Sequence, residues 1–153
     1  MLRARLSEAL KAAMKARDAR AVSAVRLILA RLKERDIEAR PKGKPEGISD
    51  EEMVAMMQGM IKQRHESIAL YERGRRPELA EKERGEIAVI ESFMPRQLSE
   101  SEMAEAITKV VGELGASGMK DMGKVMAKLK ERFAGTMDFA KASAIVKARL
   151  AGG

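Results

Sequence analysis

The chain of 153 residues contains no cysteine, and this absence excludes several classes of function. Without thiols it cannot hold a disulfide framework, a thiolate nucleophile or a zinc ion bound through sulfur. Its one histidine, His65, excludes metal sites that need two or more imidazole ligands. A Ser-His-Asp triad stays possible on paper, but no serine lies in a nucleophile-elbow pattern such as Gly-x-Ser-x-Gly. We therefore expect neither a metal site nor a cofactor.

Aromatic residues and long apolar runs are also scarce. There is no tryptophan, with one tyrosine and three phenylalanines, while helix-forming residues dominate, which predicts an all-α fold. No apolar run approaches the roughly 20 residues of a membrane span. Near the N-terminus, Leu2, Leu6, Leu10 and Met14 recur at fourfold spacing, as in an ordinary first helix rather than a signal or transit peptide. We expect a cytoplasmic protein.

The formal net charge of +7 is unevenly distributed. Residues 1–44 hold 13 basic and 5 acidic side chains, residues 45–95 hold 7 and 11, and residues 96–153 hold 10 and 7. A basic surface favours polyanions, nucleic acid foremost. Because few aromatic rings are present to stack on unpaired bases, any RNA contact is expected to involve the backbone and shape of a folded RNA.

Apolar periodicity and helix-boundary signals predict seven helices in two domains. The predicted helices cover about 2–16, 19–39, 50–72, 77–94, 99–115, 120–132 and 138–150. Capping boxes begin two of them, Ser49 with Glu52 and Ser99 with Glu102. A solvated, mobile loop is predicted over 40–47 and a disordered Ala-Gly-Gly end over 151–153. The boundary falls at Pro95, so we predict an N-terminal four-helix domain (1–94) followed by a small C-terminal three-helix tail domain (95–153).

The third and fourth predicted helices each place charge on an apolar face. Arg64 lies within the apolar stripe of the third helix, and Glu83 and Glu86 lie on that of the fourth. An arginine fork binds carboxylates well, so we predict a structural ion-pair network. The alternative is a general acid–base pair or a dinuclear metal site, but the Glu-x-x-His pairs typical of such sites in helical bundles are missing.

A ridge of lysines is the main candidate for RNA binding. Lys120, Lys124 and Lys128 lie away from the apolar stripe of the sixth helix, where we expect them to face solvent without acidic partners. The glycine-rich start of this helix offers free amides to a further phosphate. With Ser117 and Lys147, these lysines are the RNA-binding candidates. A merely solvated charged face is the alternative, while the absence of Walker spacing argues against nucleotide binding.

Several motifs, in order along the chain, resemble the GatB/YqeY family, specifically its stand-alone YqeY-like members. They are Val25-Arg26-Leu27, Lys62 to Ile68 with Tyr71, Leu79-Ala80 with Glu83 and Glu86-Ile87, Pro95 with Gln97-Leu98-Ser99, and Met119 to Met126 with Ile145-Val146-Lys147. The resemblance implies a helical bundle followed by a three-helix tail. In the B subunit of the glutamine-dependent Asp/Glu-tRNA amidotransferase, the corresponding region is a tRNA-binding appendage. One departure is Gly118, where relatives often have serine.

Three functional hypotheses follow from the residues and the resemblance. The first is a noncatalytic module that binds tRNA or another structured RNA. The second is a protein adaptor that docks on a tRNA amidotransferase or synthetase complex. The third is an amidotransferase component, since the family usually carries the label of a carbon–nitrogen ligase with glutamine as amide donor. The catalytic chemistry of the larger enzyme lies in domains that these motifs do not cover, so we expect the first.

Overall fold

In the computed structural model, which describes residues 1–152, seven α-helices form most of the chain. They are α1 (Leu2–Lys15), α2 (Ala19–Ala39), α3 (Asp50–Arg73), α4 (Pro77–Glu91), α5 (Glu100–Leu114), α6 (Met122–Phe133) and α7 (Phe139–Gly152). Because the described residues contain no strand, the all-α prediction is confirmed. The helix α7 continues through Ala151 and Gly152, so the disorder predicted there is wrong, and Gly153 lies outside the described residues.

Both predicted capping boxes are present at the starts of α3 and α5. The hydroxyl of Ser49 accepts from the Glu52 amide at 3.1 Å, and the Glu52 carboxylate accepts from the Ser49 amide at 3.3 Å. At Ser99 and Glu102 both distances are 3.1 Å. Each box satisfies two amides that the helix itself leaves free. Arg96 also binds Glu102, and this contact, with the Ser99 amide, lowers the pKa of Glu102 to about 2.

Contacts divide the chain into two compact units, of which the first, Met1–Met94, contains α1 to α4. Within it α3 packs along α4, and α2 packs against α1 and α4. The core consists of aliphatic and methionine side chains, among them Leu6, Ile28, Met53, Met56, Met57, Met60 and Ile90. The methionine run of α3 is thus core material and is not available to a partner.

A polar clamp ends the loop between α2 and α3. The Arg3 guanidinium donates to both carboxylate oxygens of Asp36, at 2.6 and 2.7 Å, and to the Ile48 carbonyl at 2.8 Å. Asp36 in turn accepts from the Ile48 amide at 2.9 Å, and its pKa is lowered chiefly by the hydrogen bond from Arg3. Gly47 has a φ of +94°, and a side chain there would collide with the Asp36 carboxylate. The end of this loop is therefore fixed, which the sequence did not predict.

The second unit begins at Pro95 and contains α5, α6 and α7, each of which packs on the other two. Its core includes Met103, Ile107, Val110, Val125, Leu129, Met137 and Val146. The Leu98 amide donates to the Thr136 carbonyl at 2.8 Å, which ties the segment before α5 to the turn between α6 and α7. Since α6 buries one stripe in this core, its opposite face is left to solvent.

Candidate nucleic-acid interface

The lysines proposed as a ridge follow one another at one-turn spacing. Lys120 lies in a short 3₁₀ turn at Met119–Asp121, and Lys124 and Lys128 lie on α6. Burial of Val125 and Leu129 determines which side of α6 faces inward. Lys124 projects from the side of α6 opposite that stripe, whereas Lys128, about 60° round the helix from Val125, lies on its flank.

Lys120 and Lys124 are exposed, and neither forms an ion pair within the part of the chain that the structure describes. Asp121 follows Lys120, and its carboxylate accepts from the Ser117 amide at 3.0 Å. This backbone hydrogen bond, with smaller contributions from both lysines, lowers the pKa of Asp121. The fixed negative charge of Asp121 offsets part of the positive charge of the ridge. It also occupies an amide that was expected to be free for a phosphate.

Lys128 differs from the other two lysines of the ridge. Its Nζ lies 3.4 Å from Glu131 Oε2, and its side chain is only 32% exposed. Its charge also contributes to the lowered pKa of Glu113 on α5, which is mainly due to a hydrogen bond from Arg132. The expectation that all three ammonium groups lack acidic partners is therefore wrong for Lys128, because Glu131 lies close to one turn further along α6.

Ser117 and Arg149 both line an open cavity of about 400 Å³ between the end of α5 and the end of α7. Arg149 was not among the predicted site residues. It follows the buried Ala142 by seven positions and the buried Val146 by three, which places it at the edge of the packed face of α7. This helical spacing is the sequence signal that could have identified Arg149 as a site residue. Lys147 is exposed but projects about 160° away from Arg149, so it does not join this cavity.

In the first unit, Arg64 connects α3 to the two carboxylates of α4. Its Nε lies 2.9 Å from Glu86 Oε2 and 3.9 Å from Glu83 Oε2, and its Nη1 donates to the Met60 carbonyl at 3.1 Å. The three charged side chains are between 13% and 20% exposed. Among the described residues no buried side-chain nitrogen or oxygen lacks a hydrogen-bond partner. Such mutual satisfaction is typical of a structural network.

Residues 1–152 show neither a candidate metal site nor a membrane-spanning helix. Residues 1–152 contain no group of three or more histidine or carboxylate side chains arranged to hold a metal ion. His65 is an exposed residue of α3 that takes no part in the Arg64 network. Over the same range, no helix combines the length and the apolar character needed to cross a membrane.

The family model described as Yqey-like protein matches residues 3–150, which includes both units and nearly the whole chain. The resemblance inferred from the sequence motifs is thereby confirmed. No curated protein sequence matches the chain.

Proposed function

Since the chain belongs to the Yqey-like protein family, we propose that it binds tRNA or another structured RNA and catalyses no reaction itself. The observation that carries this proposal is the pair of exposed lysines, Lys120 and Lys124, which have no acidic partner within ion-pair distance among residues 1–152. Two ammonium groups one helical turn apart suit a polyanion with regularly spaced charges. The resemblance to the tRNA-binding appendage of the amidotransferase B subunit supports the same class of ligand.

Two neighbouring groups extend the proposed contact. The guanidinium of Arg149 can bind two phosphate oxygens at once, and the Ser117 hydroxyl at the same cavity can donate to another. Contacts of this kind position an RNA backbone but do not distinguish bases. With few aromatic side chains available for stacking, the proposed ligand is a folded RNA rather than a single strand.

The first unit serves as the scaffold in this proposal. Arg64 pairs with Glu83 and Glu86 across α3 and α4, at 3.9 and 2.9 Å, so both carboxylates already face a cation. We therefore assign the network a role in fixing how these helices pack.

Charge reversal of the two exposed lysines tests the proposal. In full-length Lys120→Glu/Lys124→Glu, binding of labelled tRNA should weaken at least about tenfold at roughly 0.1 M salt, because two phosphate contacts are lost and two repulsions are added. The slope of log affinity against log salt should become shallower by about 2. Fluorescence anisotropy over about 50 to 300 mM KCl measures both quantities.

A matched variant separates this site from overall charge. Lys62→Glu/Lys130→Glu makes the same change at exposed lysines on α3 and on another side of α6. It should weaken binding by no more than about threefold, through long-range electrostatics alone. Lys128→Ala should have less effect than Lys124→Ala, since Glu131 already partly neutralises Lys128. Equal losses in the two double variants would show that only net charge matters and would rule out the proposed surface.

A further inference from the structure

A groove follows the side of α2 that faces away from the core of the first unit. It is an open cavity of about 760 Å³ at the end of α1 and the first half of α2. Small or apolar residues form much of its surface, namely Met14, Ala19, Val22, Leu27 and Ala30. The α2 members recur at intervals of three to five residues, so they lie on one side of the helix. The core residues Val25, Ile28 and Leu32 lie on the opposite side.

Large apolar side chains remain in solvent along this groove. Met14 is 52% exposed and Leu27 is 42% exposed. Ile37, at 52% exposed, lies one heptad beyond Ala30 and continues the same side of α2. From Ala19 to Ile37 the stripe measures about 27 Å, or roughly five helical turns. Along this side of α2, exposed large apolar side chains alternate with the polar and cationic residues Ser23, Arg26 and Lys33, which indicates an amphipathic interaction surface.

Positive charges accompany the apolar stripe. Arg17 and Arg26 line the groove, and Lys33 lies on the same side of α2. None of these three cations has an ion-pair partner among residues 1–152, and the nearby acid Glu34 is bound to Arg31 at 2.9 Å. Arg17 also has a φ of +55°, a left-handed conformation in which glycine is less strained.

We propose that this α1–α2 groove binds an acidic amphipathic helix of a partner protein. The apolar stripe would pack against the apolar face of such a helix, and its flanking carboxylates would pair with Arg17, Arg26 and Lys33. A second copy of this chain would instead bring the same cations together. RNA would pair with the cations but would leave Leu27 and Ile37 without apolar contacts. The groove does not depend on the proposed RNA surface, which lies in the second unit.

A designed peptide of about 21 residues, long enough to span the stripe, is the probe. It carries leucines at heptad positions a and d and glutamates at e and g, and a scrambled peptide of identical composition is the control. Full-length protein labelled with carbon-13 at the methionine methyl groups is titrated with each peptide. Met14 reports on the groove, while Met119, 44% exposed and adjacent to Lys120, reports on the RNA surface. The amphipathic peptide should shift the Met14 signal and leave that of Met119 unchanged, and the scrambled peptide should shift neither.

Two variants with matched controls test the groove residues. Arg17→Gly should leave the fold intact, since glycine accepts the left-handed backbone, yet weaken peptide binding about fivefold through loss of one ion pair at a partly desolvated site. Arg75→Gly makes the same substitution at the other left-handed arginine, φ +56°, outside the groove. Leu27→Gln should likewise weaken binding about fivefold, and Leu70→Gln, at the 64% exposed Leu70, is its control. Both controls should bind the peptide as the wild type does.

Several results would overturn this proposal. Equal binding of the scrambled peptide, or equal loss in the control variants, would show only nonspecific attraction. A tRNA that shifts the Met14 signal and loses affinity with Arg17→Gly would make the groove a nucleic-acid surface. A dimer in analytical ultracentrifugation that Leu27→Gln dissociates would make a second copy the occupant. If the peptide shifts Met14 while tRNA shifts neither methionine, the groove stands and only the RNA proposal fails.

Discussion

Replacement of Asp121 by asparagine should strengthen the binding of RNA. The asparagine side chain keeps an oxygen that can accept from the Ser117 amide, a contact of 3.0 Å, so the turn before α6 keeps its hydrogen bond. The substitution removes the negative charge beside Lys120 and Lys124, whose attraction contributes to the lowered pKa of Asp121. With that pKa below its usual value, the wild-type carboxylate is ionised at neutral pH, and it repels any phosphate that these lysines hold.

The size of the gain follows from the spacing of these groups. One helical turn separates the lysines, and we take about 6 Å, roughly that spacing, as the distance from the Asp121 carboxylate to a phosphate held between them. At about 6 Å in water, the repulsion between two unit charges is close to RT, which corresponds to roughly a threefold change in Kd. Since the Debye length is about 10 Å at 0.1 M ionic strength, the gain should persist at that salt and fade towards 1 M.

A control at the start of α7 makes the test specific. Asp138 also accepts from backbone amides, those of Ala140 and Lys141 at 3.0 and 3.3 Å, and Asp138→Asn makes the same change of charge. It lies at the opposite end of α7 from Arg149, about 16 Å away along the helix. The anisotropy titration with tRNA should give tighter binding for Asp121→Asn and little change for Asp138→Asn. Unchanged or weaker binding by a stably folded Asp121→Asn protein would refute the placement of RNA beside these lysines.

Three further predictions concern the stability of the first unit, measured by urea denaturation. Gly47→Ala should destabilise by more than about 1 kcal/mol, because alanine at φ +94° meets the Asp36 carboxylate; an unchanged midpoint would contradict the clamp. Asp36→Asn removes the stability that the ionised Asp36 contributes. This contribution should be fully present above about pH 4 and should be lost as the pH falls through the lowered folded-state pKa of Asp36, so the free energies of unfolding of wild type and variant should converge in acid. Arg64→Met should cost about 2 to 3 kcal/mol by leaving two mostly buried carboxylates unpaired, and added Glu83→Gln and Glu86→Gln should restore most of it; no recovery would argue against a purely structural network.

The helices were predictable because their signals are local. A hydroxyl at the N-cap and a glutamate three residues later, as at Ser49 and Ser99, determine where α3 and α5 begin without reference to the rest of the chain. The pairing of Arg64 with Glu86 was also predictable, since an inward-facing charge requires a partner and two antiparallel helices offer few.

The polar contacts outside such faces were not predictable, because helical periodicity gives the direction of a side chain and not its neighbour. Arg3 and Asp36 are 33 residues apart, and no pattern in either segment indicates that they meet. On α6, helical periodicity grouped Lys128 with the other lysines but did not indicate that Glu131 pairs with Lys128. Asp121 was overlooked for a similar reason, since its hydrogen bond to the Ser117 amide belongs to a turn that has no sequence period.

Net charge by itself does not distinguish the two basic surfaces of this protein. Residues 1–44 are its most basic segment, yet Arg3 and Lys44 there are neutralised by acids, and free cations such as Arg17 and Arg26 adjoin exposed apolar side chains. In the second unit Ser117, three residues before Lys120, supplies a hydroxyl and Arg149 supplies a guanidinium at the same cavity, although Met119 beside Lys120 is also exposed. Apolar side chains beside a cation add to the binding free energy only when the ligand has an apolar face. Hydrogen-bond donors beside a cation add to it when the ligand presents phosphate oxygens. The neighbours of each cation, more than the charge itself, therefore determine which class of partner each surface suits.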